Sequence, residues 1–154
     1  NFTNRTGVRT FEAAAFLKKL GADTVAVKHL FSGTIDLYRH KAHIVADAEI
    51  YNRFAIASTE IEEDDIRIAA PQAADELLSI TGVDASFVIY KMGNVINISA
   101  RSFGAVNVQV IMEKLGGGGH QTMAATQIPE ITTDEAKQKL KAVIDDTDYS
   151  GKDT

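Results

Sequence analysis

Cysteine is missing from all 154 residues. Disulfides, thiolate metal sites and cysteine nucleophiles are thereby excluded, an absence that sits comfortably with a reducing cytoplasm. Long hydrophobic runs are missing too, since nothing approaches the stretch of about 18 apolar residues that a membrane span needs. No basic start leads into an apolar core, so no signal peptide is visible. Basic charge is in short supply, with 16 Lys and Arg against 21 Asp and Glu and a net charge of −5. A protein that grips long nucleic acid carries a basic face, because phosphate neutralisation drives such binding. Here the basic residues are scattered, and the run Glu60-Ile61-Glu62-Glu63-Asp64-Asp65 opposes any such field. A long polymer is therefore not expected as a partner; a small phosphorylated ligand held by a few aimed groups fits better.

What remains is ordinary globular material, 45% hydrophobic and 24% charged, of a length that suits one compact domain or one domain with a piece of another. The chain opens on Asn1 and a polar stretch, which suggests an excised part of a larger protein. Residues 1–48 read as helical. Thr10 can cap a helix that Gly21 ends, and a connecting helix from Thr34 through Ala48 has an untidy, solvated pattern. From Glu49 the texture changes to a strand through Ile56, then the acidic loop, then a helix of Ala73, Ala74, Leu77, Leu78 and Ile80 closed by Gly82. Strands over Ala85 to Lys91 and Val95 to Arg101 follow. Alternation puts Val95, Asn97, Ser99 and Arg101 on one face. Asn107 can cap a helix carrying Val108, Ile111, Met112 and Leu115, which Gly116 to Gly119 breaks. Ala124 to Ile128 is a short strand, and Thr132 with Glu135 starts the last helix with a capping box. The order implies an α/β fold, a mixed sheet with packed helices preceded by a short helical segment, divided at 1–48 and 49–154. No internal repeat is evident.

The sharpest local signal is Gly116-Gly117-Gly118-Gly119-His120. At ordinary glycine usage, four in a row arise by chance in roughly four of a thousand chains this long. A flexible linker or an over-long helix cap would account for the run alone. Its tight flanking by a helix and a strand gives a linker no job, however. Glycines let a backbone approach a ligand closely and turn its amides toward an anion, and a histidine at the end can bond a phosphate oxygen. No Lys-Ser or Lys-Thr follows and the helix precedes the glycines, so this is not a P-loop.

Ser99, Arg101 and Ser102 form a second feature, in which a planar guanidinium can hold phosphate oxygens through two bonds and hydroxyls can meet the rest. A surface arginine at a strand end is the plain alternative, and the neighbouring glycine run favours a shared pocket. A third cluster, Asn4-Arg5-Thr6-Gly7 with Arg9, is polar and basic, and helix capping explains part of it. His29, His40 and His43 show no spacing of a zinc or manganese site, and carboxylates do not group with them in a recognisable pattern. No serine sits in a nucleophile elbow. The chain holds no complete catalytic apparatus.

The stretch Asn107-Val108-Gln109-Val110-Ile111-Met112-Glu113-Lys114-Leu115, followed by the four glycines, His120 and Ala124-Ala125, resembles the DHH-associated domain of the DHH phosphoesterase superfamily. Ser99-Ala100-Arg101-Ser102 stands at the matching distance upstream. Asn1 to Phe11 looks like the last part of the preceding catalytic domain, so the resemblance covers nearly the whole chain. Its flanking residues are most similar to those of the membrane-anchored cyclic-di-AMP phosphodiesterases of Gram-positive bacteria.

The resemblance implies a two-domain enzyme whose catalytic domain binds two manganese ions through Asp and His residues, an Asp-His-His triplet among them, and activates water between them. The associated domain would hold the substrate, cyclic di-AMP or a short adenylate dinucleotide. Gly117 to Gly119 and His120, with Gly116 beside them, would contact phosphate; Ser99, Arg101 and Ser102 would flank them, and Arg5 would face the cleft from the other side. No Asp-His-His triplet occurs in this sequence. The metal ligands are therefore expected upstream, with no manganese bound by this chain and no activity from it alone. A cytoplasmic domain of a membrane-anchored parent is implied, and a homodimer is left open. The rival readings are an oligoribonuclease or phosphoadenosine phosphatase of the same superfamily and, from a different class, a nucleic-acid-binding or dimerising module such as those appended to tRNA synthetases.

Overall fold

In the computed structural model, which describes residues 6–147, the chain divides into two compact units, Asn1–Thr34 and Ile35–Thr154. The first holds α1 (Val8–Lys19) and α2 (Thr24–His29). Gly7, extended at φ −80° and ψ 167°, takes the cap position expected for Thr10, whose amide donates to the Gly7 carbonyl at 3.0 Å. Gly21 ends the helix in the left-handed conformation at φ 92°, as a glycine can without strain. The second helix was not foreseen. It is capped by Asp23, whose side chain accepts from the Val25 amide, and six residues are too few for periodicity to reveal.

The second unit begins with α3 (Ile35–Ala46). Far from being solvated throughout, this helix buries Ile44 completely and packs Leu37 and Val45 beside it. The strand expected from Glu49 is a hairpin, β1 (Glu49–Tyr51) and β2 (Phe54–Thr59), turned at Asn52 with φ 56°. Asparagine tolerates that conformation better than other non-glycine residues. Helix α4 (Ile66–Leu77) starts well before Ala73 and runs through Pro71. Its Ala69, Ala70, Ala73 and Ala74 are fully buried, and such short side chains let the helix lie close on the sheet.

The remaining elements are β3 (Ala85–Met92), β4 (Val95–Ser102), α5 (Val108–Lys114), β5 (Gly118–His120), β6 (Met123–Pro129) and α6 (Thr133–Asp145). The six strands form one sheet in the order β1-β2-β3-β4-β6-β5. Strands β2 and β3 pair in parallel through the α4 crossover, and every other neighbouring pair is antiparallel. The mixed α/β architecture implied by the sequence is therefore present.

Both faces of the sheet carry a core. On one, Phe54, Phe87, Ile89, Ile96 and Ile98 meet Ile111 and Met112 of α5 and Leu140 and Ile144 of α6. Phe54 and Phe87 meet edge to face at 6.0 Å and 77°, the arrangement their ring quadrupoles favour. On the other, Ala55, Ala57, Val88 and Tyr90 meet α4, with Ile44 of α3 behind. Each fully buried Phe, Leu or Ile contributes about 1.5–3 kcal/mol, so the two helix layers fix the central strands rigidly beneath whatever lies at the sheet's far edge.

Candidate functional site

The glycine run is structural before it is anything else. Leu115 ends α5; the Gly116 amide then donates to the Glu113 carbonyl at 3.0 Å and the Gly117 amide to the Met112 carbonyl at 2.8 Å. This pair of bonds is the Schellman ending, with Gly116 in the required left-handed conformation at φ 80°. Gly118 to His120 do not remain a break. They form β5, the edge strand, paired with β6 through Gly118↔Ala125, Gly119↔Ala124 and His120↔Met123. A strand made of glycines was invisible to side-chain alternation because glycine has no side chain to alternate.

The four glycines have different jobs. A methyl group on Gly117 would stand 2.1 Å from the Ala125 carbonyl oxygen, and one on Gly119 would stand 2.5 Å from Ala124 Cα. Both are glycine because β6 lies against them. A methyl group on Gly118 would meet nothing within 4 Å, and its φ lies outside the left-handed region. The fold gives no reason for glycine at 118.

Register then places the predicted residues. Ser86, Arg101, Met123 and His120 stand directly opposite one another across four strands, and Val88, Ser99, Ala125 and Gly118 form the next row. Directly paired residues in an antiparallel ladder face the same side, so Arg101, His120, Ser99 and Gly118 share one face. At a strand spacing of about 4.8 Å, Arg101 and His120 start roughly 10 Å apart, two strands away from each other. On β6 the outward Met123, Ala125 and Gln127 are exposed while Ala124 and Thr126 are buried. The face is thus uncovered over β6 and β5. A cavity of about 480 Å³ lies on it, lined among others by Tyr90, Asn97, Gly116, Gly117, Ala125 and Gln127.

Two of the predicted side chains are held in place by their neighbours. Arg101 has a side chain only 12% exposed, with Nε donating to Asp75 at 3.0 Å and Nη1 donating to the Ala100 carbonyl at 3.0 Å. Ser102 is turned the other way, its hydroxyl donating to the Val106 carbonyl at 2.6 Å and accepting from the Gly104 amide at 3.3 Å. It ties down the loop that leads from Arg101 into α5. His120 is exposed, with Nδ1 2.9 Å from the Gly119 carbonyl. Arg5 and Asn4 lie outside the described residues.

One grouping contradicts the sequence reading of the histidines. His40, Glu63 and Asp65 bring ligand-type atoms within 4.8 Å of one another, so carboxylates do cluster with His40. The acidic loop folds back onto α3, a contact that no spacing could reveal. The donor set is nonetheless poor for a metal. Asp65 sits 2.9 Å from Nδ1 and Glu63 3.6 Å from Nε2, and the two ring nitrogens point away from each other. A single ion could draw on one atom from each of the three residues, the lower limit of the three or four protein ligands usual for zinc, and both carboxylates already sit against the imidazole. The contact is a tie between α3 and the start of α4. Among the described residues no helix is long and apolar enough to cross a membrane.

A family model described as the DHHA1 domain matches residues 52–147. The chain belongs to that family. The DHHA1 match runs from the β1–β2 turn to the end of α6 and includes Ser99, Arg101 and the whole glycine–histidine run. The chain is 49% identical over 147 residues to the cyclic-di-AMP phosphodiesterase PdeA of Listeria monocytogenes serotype 1/2a (strain 10403S), covering 94% of this chain and 22% of that protein. It is 47% identical over 154 residues to the cyclic-di-AMP phosphodiesterase GdpP of Geobacillus thermodenitrificans (strain NG80-2), covering 99% of this chain and 23% of that protein. The chain thus spans less than a quarter of the length of these curated relatives. Among solved structures, an exopolyphosphatase-related protein from Bacteroides fragilis shares the fold, with a TM-score of 0.79 and 17% identity over 93% of this chain and 44% of that one.

Proposed function

We propose that this chain is the substrate-binding C-terminal part of a phosphodiesterase that hydrolyses cyclic di-AMP to linear di-adenylate. The observation that carries the reading is the identity of 49% and 47%, over nearly the whole chain, to two proteins named for that activity. Residues 49–154 are the DHHA1 domain proper, and residues 1–48 the tail of a preceding catalytic DHH domain with its connecting helix. The membrane anchor proposed for the parent belongs to that upstream part.

The uncovered sheet face is where substrate is held. Arg101 offers guanidinium donors to a phosphate, His120 bonds it from the opposite side, and the Gly118 backbone gives it room to come close. Ser99 lies in the next row with Gly118; Gly116, Gly117 and Gly119 hold the edge strand in place, and Ser102 secures the Arg101 end. This is positioning and charge stabilisation, not proton transfer. Catalysis by the parent depends on a metal, proposed to be manganese. Among the described residues the donors fit it poorly, since the one cluster, His40 with Glu63 and Asp65, offers only three atoms that are already engaged with one another.

The test compares this chain with a two-domain protein in which a DHH domain precedes it, each incubated with cyclic di-AMP and manganese and followed by chromatography. Linear di-adenylate from the longer protein alone is expected. Turnover by this chain itself would refute the division of labour, and cleavage of short linear oligonucleotides with cyclic di-AMP left intact would refute the substrate.

A further inference from the structure

Arg101 is tied before any ligand arrives. Of the five N–H donors of a guanidinium, Nε–H goes to Asp75 and one on Nη1 goes to the Ala100 carbonyl. These two bonds fix the plane of the group and leave the Nη2 end free. The carboxylate partner stands outside the arginine, with the Asp75 side chain 62% exposed and that of Arg101 12%.

Nothing in its own helix explains Asp75. It lies in the last turn of α4, next to Glu76, and that turn carries no basic residue. A carboxylate there faces the negative end of the helix dipole, which is unfavourable. Glu76 has its own partner in Lys41 at 3.0 Å. A carboxylate beside an anion site is also unfavourable by charge alone. Two electrostatic penalties therefore surround a residue whose one evident contact is the arginine.

We propose that Asp75 is a positioning residue, holding the Arg101 guanidinium in the orientation that receives a substrate phosphate. The inference rests on Arg101 being a phosphate ligand. Asp75 then has two effects of opposite sign: as a hydrogen-bond acceptor it spares Arg101 the entropy of being ordered by the ligand, and as a negative charge it repels that ligand. Two substitutions separate them. Asp75→Asn keeps an oxygen acceptor for Nε–H and removes the charge; Asp75→Ala removes both. If the carboxylate only repels, both variants bind phosphate more tightly. If it positions, Asp75→Ala loosens the arginine and weakens binding by about two- to tenfold, the cost of ordering one rotamer-rich side chain, whereas Asp75→Asn binds at least as tightly as the wild type.

The experiment titrates 5′-AMP into the 154-residue chain, following backbone and arginine Nε–H signals by NMR, in the wild type, Asp75→Ala, Asp75→Asn and Arg101→Ala. Because Asp75 is exposed and its removal relieves the helix end, both aspartate variants fold, which thermal melts verify. The expected result is the order above, together with an Arg101 Nε–H signal that is sharp in ligand-free wild type and Asp75→Asn and broadened in Asp75→Ala. Arg101→Ala should bind at least about tenfold more weakly. Asp75→Ala binding as tightly as the wild type, while Arg101→Ala is impaired, overturns the positioning role and leaves the phosphate reading standing. Wild-type affinity in Arg101→Ala, or no AMP binding by the wild type, overturns both.

Discussion

Two neighbouring glycines, substituted one at a time, should behave as opposites. In Gly117→Ala the new methyl group is placed 2.1 Å from the Ala125 carbonyl oxygen and 2.5 Å from Thr126 Cβ. The first of these atoms belongs to the backbone of β6, paired on its other side with β4 through Ser99↔Ala125, so it cannot step aside without disturbing the ladder. Overpacking costs typically 1–3 kcal/mol, and a clash with paired backbone belongs at the upper end, about 3 kcal/mol. For a domain of this size each kcal/mol moves the melting temperature by about 2–4 °C. Gly117→Ala should therefore melt roughly 6–12 °C below the wild type. In Gly118→Ala the methyl group meets nothing within 4 Å and the backbone conformation is one alanine adopts. Removing a strand glycine should leave stability unchanged or raise it by about 0.5–1 kcal/mol. The same methyl group projects onto the open face beside Ala125 and Ser99, so AMP binding should fall by about tenfold, a loss of about 1.4 kcal/mol. Thermal unfolding followed by circular dichroism, with AMP titration by NMR, measures both quantities. A Gly118→Ala protein that melts as low as Gly117→Ala would refute the assignment of their separate jobs, and one that binds AMP normally would refute the phosphate approach at residue 118.

Three further outcomes are expected. His120 is exposed and bonded only locally to the Gly119 carbonyl; His120→Ala should melt within about 2 °C of the wild type, since such surface changes stay near 0.5 kcal/mol or below, while binding AMP more weakly, and a large drop in melting temperature would contradict this. Thr132 accepts from the Glu135 amide as the cap of α6, so Thr132→Ala should cost about 1 kcal/mol, read from urea unfolding midpoints at an unchanged slope. Glu49 is held below the ordinary carboxylate range by the Lys141 ammonium 3.0 Å away, aided by Lys137 at 3.6 Å. A depressed carboxyl contributes stability that is present above its unfolded value of about 4.3 and lost as pH falls through the folded value. With a half-exposed ion pair the difference is a few tenths of a kcal/mol. Glu49→Gln should therefore lie slightly below the wild type at pH 7, and the gap should close as the pH falls below the ordinary carboxylate range; a constant gap would refute the linkage.

The elements that could be read from the sequence were those whose own side chains dictate them. Asn107 and Thr132 cap α5 and α6, as their side chains and the residues after them imply. The alternation from Val95 to Arg101 put Ser99 and Arg101 on one face of β4, and the register keeps them there. Features that depend on partners distant in sequence were not legible. The β5 strand exists because β6 supplies its pairing; the burial of Ile44 depends on α4; the approach of Glu63 and Asp65 to His40 depends on how the acidic loop folds back. The Asp75–Arg101 bond joins residues 26 positions apart and gives no local sign of itself. For the site, residue types were legible and their mutual placement was not.

That placement follows from an imbalance in the layers. Helices α5 and α6 fall on one face of the sheet and supply a continuous core from Phe54 to Ala124. The other face receives α4, with α3 behind it, and their shared core stops at Val88 and Tyr90 of β3. Nothing among the described residues of this unit covers β6 and β5 on that side. An uncovered antiparallel face normally solves its solvation with polar side chains at every outward position. Here the outward row instead contains Ala125 and Gly118, small residues that neither shield the backbone nor solvate it, bordered by a partly buried, pre-tied arginine on one strand and a histidine on the other. Small residues on an exposed sheet have no packing role to play, whereas they leave room for an anion beside the row that carries Arg101, Met123 and His120. The half-covered sheet thus makes a shallow floor with chemistry at its two rims, and the rigid strands beneath it set the roughly 10 Å between Arg101 and His120 that a phosphate bound by both would have to bridge.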